Sequence, residues 1–257
     1  MEMNYVDYLK HVENVLEEAT IREFASQLKT FGKFRESRDG LWEPVPYSGY
    51  TLITPTFQAD PKNADFYRLL SDIREELFWN ILLPGIVWAP SIALHLTIGR
   101  LISGDAFTCI MNSREEEFLL ALSQLFSQIS STRPGSLNYE VKGLSIFPQG
   151  VLAAIVSPVT EDDYKPLQAF RDCLYTDKIL NNLGVERKRS FHGHITLFYI
   201  EDKLFRNERR KLADALIDIN KRFFSTPLPF NLTRAEVRKF DDLSEFHRRD
   251  HWPVYVF

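Results

Sequence analysis

Two short strings, His95-Leu96-Thr97-Ile98 and His194-Ile195-Thr196-Leu197, each place an imidazole and a hydroxyl two residues apart among aliphatic neighbours. In a strand, side chains alternate between faces, so His95 and Thr97 share one face while Leu94, Leu96 and Ile98 share the other. The same alternation sets His194 and Thr196 against Ile195 and Leu197. Two such strands facing each other bring two histidines and two threonines to one point. The chain has only six histidines, and two of them head the same pattern. A shared site explains that pairing better than two independent structural histidines do.

The constellation suits a phosphodiester. One neutral imidazole can accept a proton from an attacking water, and a protonated one can give a proton to the leaving oxygen. Histidine holds both forms near neutrality. The threonine hydroxyls can donate to the non-bridging oxygens as phosphorus becomes five-coordinate. No metal is needed for this chemistry, and none is expected. His192-Gly193-His194 supplies two potential ligands but no third histidine or carboxylate nearby.

Positioning four such groups requires strands backed by helices. Residues 4–30 have helical apolar spacing and predict one or two amphipathic helices, and 32–49 reads as loop. A strand is expected over 50–57. Asp60-Pro61 opens a helix to about Leu82, with Phe66, Leu69, Leu70, Ile73 and Leu77 as its buried stripe. The first motif falls in a strand over 92–102. Asn112-Ser113 caps a helix to about Ser130. Strands at 139–147 and 151–156 form a hairpin, Thr160 begins a helix to about Leu180, and the second motif lies in a strand over 191–200. A helix over 203–224 and strands at 230–240 and 254–257 close the chain. Each half thus contains a strand–helix–strand unit with a His-x-Thr on a strand. The expected fold class is α+β, with 1–31 as an N-terminal helical extension and 32–257 as a bilobal domain.

Bulk properties narrow the function classes. A net charge of −4 argues against coating extended nucleic acid, yet leaves room for a small nucleotide or a single RNA end. Cys109 and Cys173 read as reduced, buried thiols. The apolar window 77–94 is broken by Asn80, Pro84, Gly85 and Pro90, so it reads as core rather than a membrane span. Without a secretory signal pattern, a cytoplasmic protein is expected, with a monomer favoured.

The paired motifs resemble those of the two-histidine (2H) phosphoesterase superfamily, which includes RNA 2',3'-cyclic phosphodiesterases and 2'-5' RNA ligase-like proteins. The strands over 49–54 and 142–147 fall where that superfamily places similar elements. Phe191-His-Gly-His-Ile-Thr-Leu-Phe-Tyr199 is similar to the second motif of a poorly characterised bacterial branch. The resemblance implies two pseudo-symmetric antiparallel sheets lining a central cleft with helices outside, no cofactor, and His95, Thr97, His194 and Thr196 as catalytic residues.

Strand parity adds His192 and Phe198 as substrate-contacting candidates, and Tyr50 and Phe147 as rings for base stacking. By parity Arg100 points away from the cleft and Tyr199 lies on the far face unless a bulge re-aims it. Arg187, Lys188 and Arg189 read as a solvated loop near a phosphate, and Arg206, Arg209, Arg210 and Lys211 as a helix face in water. Two competing readings remain: a nucleotide-binding or RNA-end-binding module without turnover, and a structural protein whose two motif histidines lie apart.

Overall fold

The computed structural model describes residues 1–129 and 135–257. Helices α1 (Tyr5–Leu16) and α2 (Glu18–Ser26) come first, with Asn4 capping α1 by accepting from the Asp7 amide at 2.8 Å. A ribbon of β1 (Phe34–Glu36) and β2 (Trp42–Pro44) then occupies the stretch expected to be loop, its ends joined by the Ser37–Leu41 turn. Strand β3 (Gly49–Ile53) and helix α3 (Ala64–Ile81) follow; Leu69 is exposed rather than part of the buried stripe. Strand β4 (Ile86–Trp88), strand β5 (Thr97–Ser103) and helix α4 (Asp105–Gln128) complete the first half.

Helix α4 starts ahead of the expected cap at 112–113 and breaks stride at Arg114 (φ −133°, ψ 18°). The side chain of Asn112 and the expected helix end at Ser130 lie outside the described residues. In the second half, β6 (Leu137–Phe147) and β7 (Val151–Pro158) form a hairpin whose turn uses Gly150 at φ +82°. Then come α5 (Glu161–Thr176), started by a Thr160–Asp163 capping box, the short α6 (Lys178–Asn182), β8 (His194–Ile200) and α7 (Arg206–Phe223). The expected strand over 230–240 is two strands, β9 (Leu228–Leu232) and β10 (Arg234–Phe240), which belong to different sheets; β11 (Val254–Val256) ends the chain.

Two antiparallel sheets result, ordered β11-β10-β3-β5 and β4-β8-β7-β6-β9. The lobes do not coincide with the sequence halves, because β4 pairs with β8 while β10 and β11 pair beside β3. Helices α1, α2 and α7 pack on the back of the five-stranded sheet, and α4 backs the four-stranded one. The expected burial of both cysteines needs correction: Cys109 is an exposed free thiol on α4, and Cys173 is half-buried.

Residues 1–31 are tied under the second motif. Glu2 has a side chain with no solvent exposure and pairs with Arg171 at 3.0 Å while accepting the Phe191 amide at 2.6 Å. The Tyr8 hydroxyl donates to the Val156 carbonyl at 2.7 Å and accepts the Gly193 amide at 3.0 Å. A Cβ on Gly193 would stand 2.7 Å from that hydroxyl, which is why a glycine separates the two histidines. Removing one member of a buried ion pair strands the other charge, at a cost of about 3–5 kcal/mol. Glu2→Ala is therefore expected to lower unfolding stability by about 3 kcal/mol in urea titration; a loss below about 1 kcal/mol would show that the pair is dispensable.

Candidate active site

The two motifs meet at a seam between the sheets. Strand β4 pairs with β8 over Ile86–Ile200 to Trp88–Phe198, and the Ala89 amide still bonds to the Leu197 carbonyl at 3.0 Å. The chain then leaves through a 3-10 turn at Ser91–Ala93 and returns so that Leu96 bridges Ile195 in antiparallel sense. Arg74 fixes the excursion by donating to the Ala89 carbonyl at 2.6 Å and to the Ser91 hydroxyl. That turn replaces the start of the strand expected from residue 92, and β5 begins only at Thr97. Thr54 grips Leu96 from the other lobe, its amide donating to the Leu96 carbonyl and its hydroxyl accepting the Leu96 amide, both at 2.9 Å.

Antiparallel pairing about Leu96 and Ile195 sets His95 across from Thr196 and Thr97 across from His194. The two motif histidines are therefore diagonal neighbours across the seam, a relation that spans about 7–8 Å in an antiparallel pair. All four side chains line a single cavity of ≈ 510 Å³. The motif histidines thus share one cavity wall and do not lie in separate parts of the core.

The rings are held alike. His95 donates Nδ1–H to the Ala93 carbonyl at 2.6 Å, and His194 donates Nδ1–H to the His192 carbonyl at 2.7 Å. A carbonyl only accepts, so the proton sits on Nδ1 and each Nε2 carries its lone pair. Each ring also has an aromatic edge contact, Phe246 at 4.4 Å for His95 and Phe147 at 5.4 Å for His194. Burial pushes the His95 pKa down to about 4, opposed by the bond to Ala93 and helped by Arg238. Burial likewise pushes His194 down to about 4, opposed by the bond to His192, with Arg189 and Arg100 adding to the fall.

A bulge follows each motif and re-aims what comes next. On β8, Leu152 pairs with Phe198 and Ala153 with Thr196, so Leu197 is the extra residue. Phe198 therefore turns into the core against Trp88 and Phe78 and is fully buried, which corrects its assignment to the cleft. Tyr199 takes the cleft position instead. On β5, Ile98 and Leu101 are extra against β3, and Arg100 turns into the cleft, against the expectation from simple alternation. Sequence parity finds neither shift; Gly99 beside the extra Ile98 is the residue-type sign of the bulge on β5, and the bulge at Leu197 has none.

Of the other candidates, Tyr50 lines the cavity but is 1 % exposed; its hydroxyl is spent on Glu115 and its ring packs against Phe107, Phe118 and Trp252. Phe147 touches His194 rather than the open cavity. His192 rests on His11 with ring centres 4.1 Å apart, and its backbone carbonyl orients His194. Burial, then His11, pushes its pKa down to about 4. Arg187 binds Asp172 at 2.6 Å and Lys188 pairs with Glu186, whereas Arg189 is exposed and lines a small recess beside His194. Arg209 bonds to backbone carbonyls of Leu204 and Ser26, while Arg206, Arg210 and Lys211 are exposed. Among the described residues, no group of three or more histidines, cysteines or acids is placed to hold a metal ion, and no helix is long and apolar enough to cross a membrane.

No protein-family model matches the chain, and no curated protein matches it by sequence. Its structure is similar to that of ATU0111 from Agrobacterium tumefaciens str. C58, a conserved protein of unknown function, with TM-score 0.59 and 14 % identity over 85 % of this chain and 89 % of that one. The shared fold is a mixed one of helices and antiparallel sheets. Weaker likenesses are to TT0787 of Thermus thermophilus (TM-score 0.45, 15 % identity, 74 % and 86 % covered) and to E. coli LigT complexed with ATP (TM-score 0.41, 13 %, 82 % and 95 % covered). At these identities the likeness is one of fold.

His95, His192 and His194 stay neutral in the folded protein down to about pH 4 and titrate near 6.5 once unfolded. Between those values the unfolded chain binds more protons, so stability rises with pH and falls on acidification. The melting temperature is expected to drop from pH 7 to pH 5, and the drop to be shallower in His95→Gln and His194→Gln. A flat wild-type profile over that window would overturn the neutral assignment.

Proposed function

We propose that this chain is a phosphodiesterase that hydrolyses a nucleotide or RNA-end phosphodiester by acid–base catalysis from two histidines, without a metal ion. The carrying observation is the Leu96–Ile195 seam, which sets two Nε2 atoms and two threonine hydroxyls toward one cavity. A 2',3'-cyclic phosphate or a 2'-5' linkage is the favoured substrate, in keeping with a cavity of ≈ 510 Å³ rather than an extended groove.

In the resting site both imidazoles are neutral. A phosphate anion seated between them raises their proton affinity, so one is protonated in the complex. The neutral Nε2 takes a proton from water as its oxygen bonds to phosphorus. The protonated Nε2 gives its proton to the departing oxygen as the phosphorus–oxygen bond breaks. Thr97 and Thr196 donate to the non-bridging oxygens, whose charge grows in the transition state. The Nδ1 bonds to Ala93 and His192 keep the rings from rotating away.

The test is turnover of nucleoside 2',3'-cyclic phosphates and 2'-5' dinucleotides, with and without a chelator. His95→Ala and His194→Ala are each expected to lower kcat by about 10²–10⁴-fold, and Thr97→Val or Thr196→Val by about 10²-fold. Chelation is expected to change nothing. Near-native activity in either histidine variant, or loss with chelator, would sink the mechanism. Tight nucleotide binding with no turnover in the native protein would point to the binding-module reading instead.

The reacting complex carries one proton more than the free enzyme with both rings neutral, and both free rings sit at about 4. The competent form therefore grows as pH falls, and kcat/KM is expected to rise from pH 8 toward pH 5. A kcat/KM that falls steadily over that range would contradict it.

A further inference from the structure

The two motifs are alike through the threonine and differ three residues later. Because each strand bulges after its threonine, Arg100 and Tyr199 occupy corresponding positions, and both face the cleft. One side of a nearly symmetric acid–base centre is thus cationic, and the other aromatic.

The aromatic side is held from the N-terminal segment. Glu201 accepts the amides of Gly32, Lys33 and Phe34 at 2.7, 3.0 and 3.0 Å, and the Phe31 amide donates to the Ile200 carbonyl at 2.7 Å. That folds Phe31 flat on Tyr199, ring centres 4.7 Å apart, at the cavity wall.

On the cationic side a small recess of ≈ 30 Å³ opens beside His194, bounded by Thr97, Arg100, Lys188 and Arg189. It shares Thr97, Arg100, Lys188 and His194 with the main cavity but is not lined by His95 or Thr196, so it lies to one side of the acid–base centre. Its cations fall into two kinds. Arg171, also in the wall, is satisfied by Glu2 and by the Ile98 and Arg189 carbonyls, and Lys188 is paired with Glu186. Among the described residues, the guanidiniums of Arg100 and Arg189 have neither a hydrogen bond nor a carboxylate partner. Burial, then Arg100 and Arg171, pulls the Arg189 pKa down to about 10, which marks a crowded and unneutralised cation. Arg100 and Arg189 are both exposed at the mouth of the recess, so their guanidiniums face an incoming anion with no carboxylate competing for them. Planar guanidinium forks match phosphate oxygens.

We infer that Arg100 and Arg189 form a second anion subsite, so that the substrate is a nucleotide carrying a terminal phosphate in addition to the diester that is cut. The terminal phosphate lies in the recess beside His194, and the base lies toward Phe31 and Tyr199. This rests on the phosphodiesterase reading above and adds the direction in which the substrate sits.

The probes are a nucleoside 2',3'-cyclic phosphate with and without a 5'-phosphate. The native protein is expected to favour the 5'-phosphorylated probe by about ten- to hundredfold in kcat/KM, the worth of one or two charge-assisted contacts. In Arg189→Met and in Arg100→Gln, the ratio between the two probes is expected to fall toward one, and Arg189→Lys to recover part of it. Arg100 and Arg189 are both exposed, so each variant is expected to fold and the two report independently. Inorganic phosphate should inhibit the native protein competitively and the variants several-fold less. Equal turnover of both probes by the native protein overturns the subsite while leaving the phosphodiesterase reading intact. An equal loss on both probes in the variants overturns it too, because the guanidiniums then serve the scissile phosphate. Turnover of neither probe, nor of any 2'-5' dinucleotide, counts against the phosphodiesterase reading itself.

Discussion

The site depends on one backbone bridge, Leu96 to Ile195, that joins the two sheets. Leu96 is held by Thr54 on one side and bridges Ile195 on the other, so the residue between His95 and Thr97 belongs to both lobes. Leu96 and Ile195 have no solvent exposure, and Thr54 has 1 %. Buried backbone groups must be paired, so the seam cannot slide without leaving donors and acceptors unsatisfied. A register slip of one residue would turn both histidines into the core and expose Leu96 and Ile195. The aliphatic residue inside each motif therefore fixes the geometry as firmly as the polar ones use it.

The resting state follows from the same burial. A fully hydrated imidazole would titrate near neutrality, but these two are surrounded by cleft walls and their Nδ1 protons are committed to carbonyls. Neutral rings with free Nε2 atoms make a site with two bases and no acid until an anion arrives. In the proposed mechanism the substrate's own charge completes the acid–base pair. Burial keeps the His194 ring neutral, and the cations beside it, Arg189 and Arg100, add to the effect. An anion that neutralises them removes their repulsion and acts in the same direction as the scissile phosphate.

The sequence makes the motif strands, their helices and the four central residues legible, because alternation of His and Thr with aliphatic residues is a strong local signal. It hides what lies one step beyond. Phe198 and Arg100 are both misplaced by parity for one reason: an extra residue in each strand, which pairing with a neighbouring strand reveals. The split of residues 228–240 between two sheets is similarly invisible, since both pieces have strand composition. Tyr50 and Phe147 lie on the expected strands, but Tyr50 is buried with its hydroxyl on Glu115 and Phe147 packs on the His194 ring, long-range partners that residue type does not announce.

The N-terminal segment gives the clearest case of distant residues governing local geometry. Residues 187–193 do not pair as a strand, yet they must present His194 at a fixed angle. Glu2 supplies the missing order by holding Arg171 and the Phe191 amide at once, and Arg171 in turn binds the Ile98 carbonyl at the bulge of the other motif. One buried carboxylate thereby links the approach to the second histidine with the strand that follows the first. Tyr8 repeats the logic at Gly193, where its hydroxyl occupies the space a side chain would need. In this chain the helices at the start are therefore a brace for the site, since the loop they hold has no ladder of its own to keep it in place.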